Sequence, residues 1–129
     1  MRFLLDTHIF LFFINGDNAI SKKVIEIINN TDTEKLISIV SIWEITIKLN
    51  IGKLKLKDDI NSIYQLLDHY QVKILQPSKY DFTTYSKLPL IHKDPFDRLI
   101  ISQAIANDLT LITDDQYIKS YPNLKLFNT

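Results

Sequence analysis

The sequence predicts an α/β fold in a single domain spanning residues 1–129. Three observations carry this. Four short runs, RFLL, EKLISI, QVKILQ and LTLIT, are rich in apolar and branched residues and too short for stable helices. Between them lie segments whose apolar residues recur every three or four positions, the mark of a helix with one buried face. Strands and helices alternate along the chain, which implies right-handed crossovers and a parallel sheet covered on both faces.

Each element has its own signal. RFLL is the first strand, and THIFLFFIN after it reads as helical. NAISKKVIEIINN places Ile20, Val24, Ile27 and Ile28 on one helical face. EKLISI is the second strand. VSIWEITIKLN holds Ile42, Ile45 and Leu49 in helical register, and DDINSIYQLLDHY does the same with Ile60, Ile63, Leu66 and Leu67. QVKILQ is the third strand, SKYDFTTYSKL a further helix and PLIHKD a loop. PFDRLIISQAIAN opens with proline at the first helical position and an aspartate before it, a strong start signal. LTLIT is the fourth strand, a turn or short helix follows, and LKLF is a candidate fifth strand.

Composition removes several function classes. Fifteen basic and fifteen acidic residues cancel, so bulk charge does not attract nucleic acid, although clustered basic groups still can. The absence of cysteine excludes disulfides, a thiol nucleophile and cysteine-ligated zinc. The two glycines are too few for a Walker loop or a GxGxxG nucleotide fingerprint. The apolar N-terminus is interrupted by Asp6 and His8 and is too short to cross a bilayer, so a cytoplasmic protein without membrane contact is expected.

The chemistry lies in the carboxylates. Asp6 follows the first strand, Asp114 and Asp115 follow the fourth, Glu44 sits early in the helix after the second strand, and Asp97 begins the helix before the fourth. In parallel sheets, ligands gather outside the carboxyl ends of the strands, which gives these acids a common address. A competing account is local. Asp94 and Asp97 suit a helix start, Ser41-Ile42-Trp43-Glu44 matches a capping box, and Asp114-Asp115 can open a turn. Asp6, with no orphan amides of its own expected at a strand end, resists that account. Four converging carboxylates repel unless a cation sits among them. Oxygen ligands of this kind suit Mg2+ or Mn2+, and such a site performs phosphoryl transfer.

The stretches FLLDTHIFLFF, SIVSIWEITIKLNIGKL, HKDPFDRLIISQAI and LTLITDD resemble, in order, the conserved blocks of PIN-domain ribonucleases, within them the VapC-like toxins of type II toxin–antitoxin systems. The resemblance covers nearly the whole chain. It implies a five-stranded parallel sheet of order 3-2-1-4-5 in an α/β/α sandwich. It also implies a Mg2+- or Mn2+-dependent endoribonuclease acting on single-stranded or loop RNA, leaving a 5′-phosphate and a 3′-hydroxyl. Carried over by motif, the acids are Asp6, Glu44, Asp97 and Asp115. Asp94 and Asp114 are secondary candidates, and Thr7 and Ser41 fall where the family places small hydroxyls. The partners implied are a small antitoxin, bound through a hydrophobic groove, and a second copy of the chain in a homodimer or larger toxin–antitoxin assembly.

Further residues enter as expectations. Lys48, Lys53, Lys55 and Lys57 form a local basic strip, read equally as a guide for RNA or as an ordinary solvated surface, and Lys48 is also spaced to pair with Glu44. Arg98 is a candidate phosphate or carboxylate partner. His8 and His92 are read as structural or supporting groups. Phe10, Phe12 and Phe13 belong to the core by default, with a partner contact as the alternative for some of them. The main rival function is a catalytically silent scaffold of the same fold that binds RNA or protein. A phosphatase using Asp6 as phosphoryl acceptor is weak, because His8 stands where such an enzyme wants a second aspartate.

Overall fold

The structure, a computed structural model, describes residues 1–54 and 59–128. Four strands form one parallel sheet: β1 (Arg2–Leu5), β2 (Glu34–Ser38), β3 (Val72–Leu75) and β4 (Thr110–Ile112), in the order β3-β2-β1-β4. The helices are α1 (Thr7–Ile14), α2 (Lys22–Asn29), α3 (Ile39–Asn50), α4 (Ile60–His69), α5 (Lys79–Lys87), α6 (Pro95–Ala106) and α7 (Gln116–Lys119).

Strand alternation divides the core into two layers. Phe3, Leu5, Ile37 and Ile112 face one side, where Ile9, Phe10, Val24, Ile28, Ile45, Ile63 and Leu67 of α1 to α4 pack against them. Leu4, Leu36 and Leu111 face the other side, against Ile100, Ile101 and Ala104 of α6 and Ile118 of α7. The period of two along each strand therefore produces the α/β/α sandwich directly. Phe10 is fully buried, whereas Phe12 and Phe13 pack at the margin of the core. Lys35 is also buried. Its Nζ donates to the Ile28 and Asn30 carbonyls at 2.6 and 3.0 Å, closing the C-terminal end of α2.

Three expectations need correction. LKLF does not form a fifth strand; it contributes one parallel bridge, Leu126 to Leu111. β4 is only three residues long, so a further neighbour has little ladder to join. The helix containing Ser41 and Glu44 starts earlier than the capping-box reading placed it. Ser38 caps α3 by accepting from the Val40 N–H at 3.1 Å, which puts Ser41 inside the first turn. Asp6, thought to have no amide to satisfy, is the N-cap of α1 and accepts from the Thr7 N–H at 2.7 Å. The strand runs into the helix without a loop, and so creates orphan amides at its own end.

Candidate active site

The parallel sheet brings the ends of β1 and β4 side by side, and the Asp6 N–H extends their pairing by donating to the Ile112 carbonyl at 3.0 Å. This sets Asp6 beside Thr113. The two Asp6 oxygens are both held, Oδ1 by the Thr7 N–H and Oδ2 by the Thr113 hydroxyl at 2.8 Å. Even so, burial raises the pKa of Asp6. The Thr113 and Thr7 hydrogen bonds and nearby His8 oppose that rise, and the charge of Glu44 adds to it. Thr7 uses its hydroxyl on Ser41, at 2.7 Å, joining the starts of α1 and α3.

Asp97 lies in the first turn of α6, with Asp94 as the N-cap accepting from the Phe96 and Asp97 amides at 2.8 and 3.3 Å. Asp97 is buried, and its pKa is pushed up to about 7. Burial is the largest cause, followed by the charges of Asp6 and Asp94; His92 opposes them. His92 Nε2 lies 2.7 Å from Asp97 Oδ2 and 3.9 Å from Asp115 Oδ2. Its Nδ1 faces the Asp94 N–H at 3.5 Å, which leaves Nε2 to donate to Asp97. Ligand atoms of His92, Asp97 and Asp115 all lie within 4.8 Å of one another.

Asp115 caps α7 through the Tyr117 and Ile118 amides at 2.8 and 3.2 Å, leaving its other oxygen toward His92. Of the adjacent acids, Asp115 is thus the one in the cluster, while Asp114 is exposed. Glu44 Oε2 pairs with Lys48 Nζ at 3.2 Å. Its other oxygen, Oε1, is buried and has no hydrogen-bond partner among the described residues. A buried carboxylate oxygen without a donor is costly. Together with the raised Asp97, it is a cost that a bound cation would relieve. The donor set, mostly carboxylate oxygen, fits a hard divalent ion.

Two site residues were missed or underrated in the sequence. Thr113 links Asp6 to the Asp115 backbone, whose N–H it accepts at 3.1 Å. Its only signal was a hydroxyl residue between a strand and an acid pair. His92, read as a supporting group, stands between two of the acids. Its loop is pinned by Tyr121, whose hydroxyl accepts from the His92 N–H at 2.8 Å.

Arg98, by contrast, is not available as an RNA contact. It is buried, donates to the Pro89 carbonyl and the Tyr121 hydroxyl at 3.0 and 3.1 Å, and lies over the Tyr85 ring at 4.8 Å. Adjacency to Asp97 misled here, because neighbouring helical residues point about 100° apart. Lys48 is engaged with Glu44, Lys53 is exposed, and Lys55 and Lys57 lie outside the described residues.

Comparison with known proteins agrees with this fold. The sequence model of the PIN domain matches residues 3–124. Among solved structures, VapBC2 from Rickettsia felis, bound to a DNA fragment from the VapBC2 promoter, is similar at a TM-score of 0.73 and 26% identity, over 99% of this chain and 98% of that one. DNA-bound VapBC from Salmonella typhimurium follows at 0.71 and 18%, covering 98% and 97%. VapBC-1 from nontypeable Haemophilus influenzae gives 0.70 and 22%, covering 99% and 98%. No curated protein matches the chain. With a family match across almost its whole length and the parallel sheet and acidic edge in place, the chain belongs to the PIN domain family.

Proposed function

We propose that this protein is a divalent-metal-dependent endoribonuclease acting as the toxin of a toxin–antitoxin pair. The observation that supports the reading is the meeting of Asp97 and Asp115, with His92, at the C-terminal edge of the sheet, near enough to Asp6 for its charge to help push Asp97 up to about 7. In this reading Asp6, Glu44, Asp97 and Asp115 hold the ion. A divalent ion held there, Mg2+ or Mn2+, would neutralise the acids and supply an activated water for attack on a phosphodiester.

The protein's own contribution is positioning. Thr7 and Thr113 fix both oxygens of Asp6, Lys48 restrains Glu44, and the α7 amides hold one oxygen of Asp115. His92 Nε2 holds Asp97 in place and, as a donor, keeps its Oδ2 oriented before an ion arrives. A carboxylate that ionises near neutral pH lets ion and proton compete for the same oxygens, so loading improves as pH rises through about 7.

The partner is inferred from the solved structures of similar fold, which include VapBC assemblies and a toxin–antitoxin complex from Klebsiella pneumoniae. On this chain, a surface groove of about 610 Å³ is lined by the apolar Phe13, Ile20, Ile25 and Tyr70 and by the polar Asp17, Asn18, Lys22 and Asn29, a mixed lining that would suit an amphipathic antitoxin segment. A homodimer or larger toxin–antitoxin assembly is part of the same reading. Among the described residues no helix is long and apolar enough to cross a membrane.

The test is cleavage of a mixed, structured RNA pool by the purified protein with Mg2+, with Mn2+ and with chelator, beside Asp97→Asn. Metal-dependent cutting that the variant loses is expected. Binding of RNA by folded, antitoxin-free protein without cutting in any condition would favour the silent scaffold instead.

A further inference from the structure

The acid pocket carries exposed aromatic rings that the ion-binding acids do not need. Trp43, immediately before Glu44 on α3, leaves 57% of its surface in solvent. Its ring meets that of Phe96, immediately before Asp97, at 4.7 Å between centroids and 49° between planes. Tyr117, two residues after Asp115, is 62% exposed and stacks on His92 at 5.4 Å and 28°. Each aromatic pair is therefore tied, by the chain or by a hydrogen bond, to acids of the pocket, and each keeps an aromatic ring in water. A large aromatic residue left exposed beside a site forgoes burial that the fold elsewhere obtains from Phe10 and Phe3.

Electrostatics narrows what these rings are for. The chain has no net charge, Arg98 is buried among its own partners, and Lys48 is paired with Glu44. Among the described residues the pocket's own side chains are mainly carboxylates, so a divalent ion held there goes largely to neutralising them and adds little attraction for the rest of a phosphate backbone. RNA affinity then has to draw on contacts other than charge, and every nucleobase has a face that stacks on an aromatic ring. The rings are already backed, Trp43 by Phe96 and Tyr117 by His92, so little side-chain freedom remains to be lost when a base settles on them.

Building on the nuclease reading, we propose that Trp43 and Tyr117 are stacking platforms for the unpaired nucleobases on either side of the cleaved phosphodiester. Phe96 and His92 serve as their backing. Bases inside a duplex already cover both faces, so the two platforms select a strand that is single at the point of cutting.

The experiment measures binding to full-length Asp97→Asn protein, expected to hold RNA without cutting it, with Mn2+ and without it. The probes are a short unpaired RNA of mixed sequence, the same RNA as a duplex, and a chain of equal length made of abasic ribose phosphates. Trp43→Ala and Tyr117→Ala, each added to this protein, are expected to weaken binding of the unpaired RNA by about five- to a hundredfold. The abasic chain should be bound weakly and be indifferent to both changes, the dependence on salt should stay the same, and Trp43→Phe should restore most of the affinity. Equal affinity for the abasic and unpaired chains would overturn the proposal. So would folded alanine variants that bind unpaired RNA as their parent does. If those variants instead lose self-association in sedimentation, the rings belong to an interface with a second copy.

Cleavage of the unpaired RNA, with and without the ring substitutions but with Asp97 intact, separates this proposal from the reading it rests on. Metal-dependent cutting with an unchanged KM in the ring variants rejects the platforms and keeps the nuclease. Protein that neither binds nor cuts any RNA rejects both.

Discussion

Replacing Asp97 by asparagine should stabilise the metal-free protein, and by an amount that depends on pH. In the folded chain this carboxyl titrates at about 7 instead of 3.8, because it is buried and faces the charges of Asp6 and Asp94. A group whose folded pKa is raised binds protons more tightly in the folded state. Its contribution to stability is present below the unfolded pKa and is lost as pH rises through the folded one. The window therefore runs from about 4 to about 7. Three decades of proton affinity correspond to roughly 4 kcal/mol, and coupling to Asp6 makes roughly 2–4 kcal/mol the reasonable range. Asparagine keeps the volume and an oxygen to accept from His92 Nε2, but carries no charge. Urea denaturation in chelator should show variant and parent nearly equal at about pH 4 and the variant more stable at about pH 8. Adding Mn2+ at a hundred times its Kd should then stabilise the parent by about 2.7 kcal/mol and the variant much less. A variant no more stable than its parent at the higher pH, or equally favoured at both, would refute the argument from buried charge.

Asp115 tests the separation of cap from site. Asparagine caps a helix as well as aspartate, so Asp115→Asn should leave the urea midpoint unchanged while lowering metal affinity in calorimetry; Asp115→Ala should do the latter and also lose about 1 kcal/mol. Equal stability of the two variants would mean that the cap adds nothing. Lys35→Met removes the side chain that, among the described residues, donates to the Ile28 and Asn30 carbonyls, and should destabilise the protein by roughly 1–3 kcal/mol in the same assay. An unchanged midpoint would show that burying the ammonium costs as much as its hydrogen bonds return.

Much of the architecture was legible because it follows from local rules. Strand alternation, helical spacing and the Asp94-Pro95 start each act within a few residues, and the structure repeats them almost element by element. Misreadings came where two local rules competed. Ser38 and Ser41 both offer a hydroxyl for α3, and the choice fell to Ser38 because β2 runs into the helix at that point, freeing Ser41 to bond Thr7. LKLF has the pattern of a strand, yet pairing also needs a neighbour of matching length, and β4 has only three residues.

The acids show the same division. Their positions along the chain could be read, since each stands at the end of a strand or near the start of a helix. Their states could not. The pKa of Asp97 depends on how deeply α6 buries it and on the charge of Asp6, ninety-one positions away in the sequence and brought close by the pairing of β1 with β4. The roles of Thr113, which reaches Asp6, and of His92, which reaches Asp97 and faces Asp115, were decided in the same way, as was the burial of Arg98. The sequence by itself determined which elements form and which carboxylates lie at their ends, because propensity and patterning act over a few residues. Only the tertiary structure decided which of those groups meet, because sheet order alone sets the distances between residues far apart in the chain, and burial and neighbouring charge set their protonation.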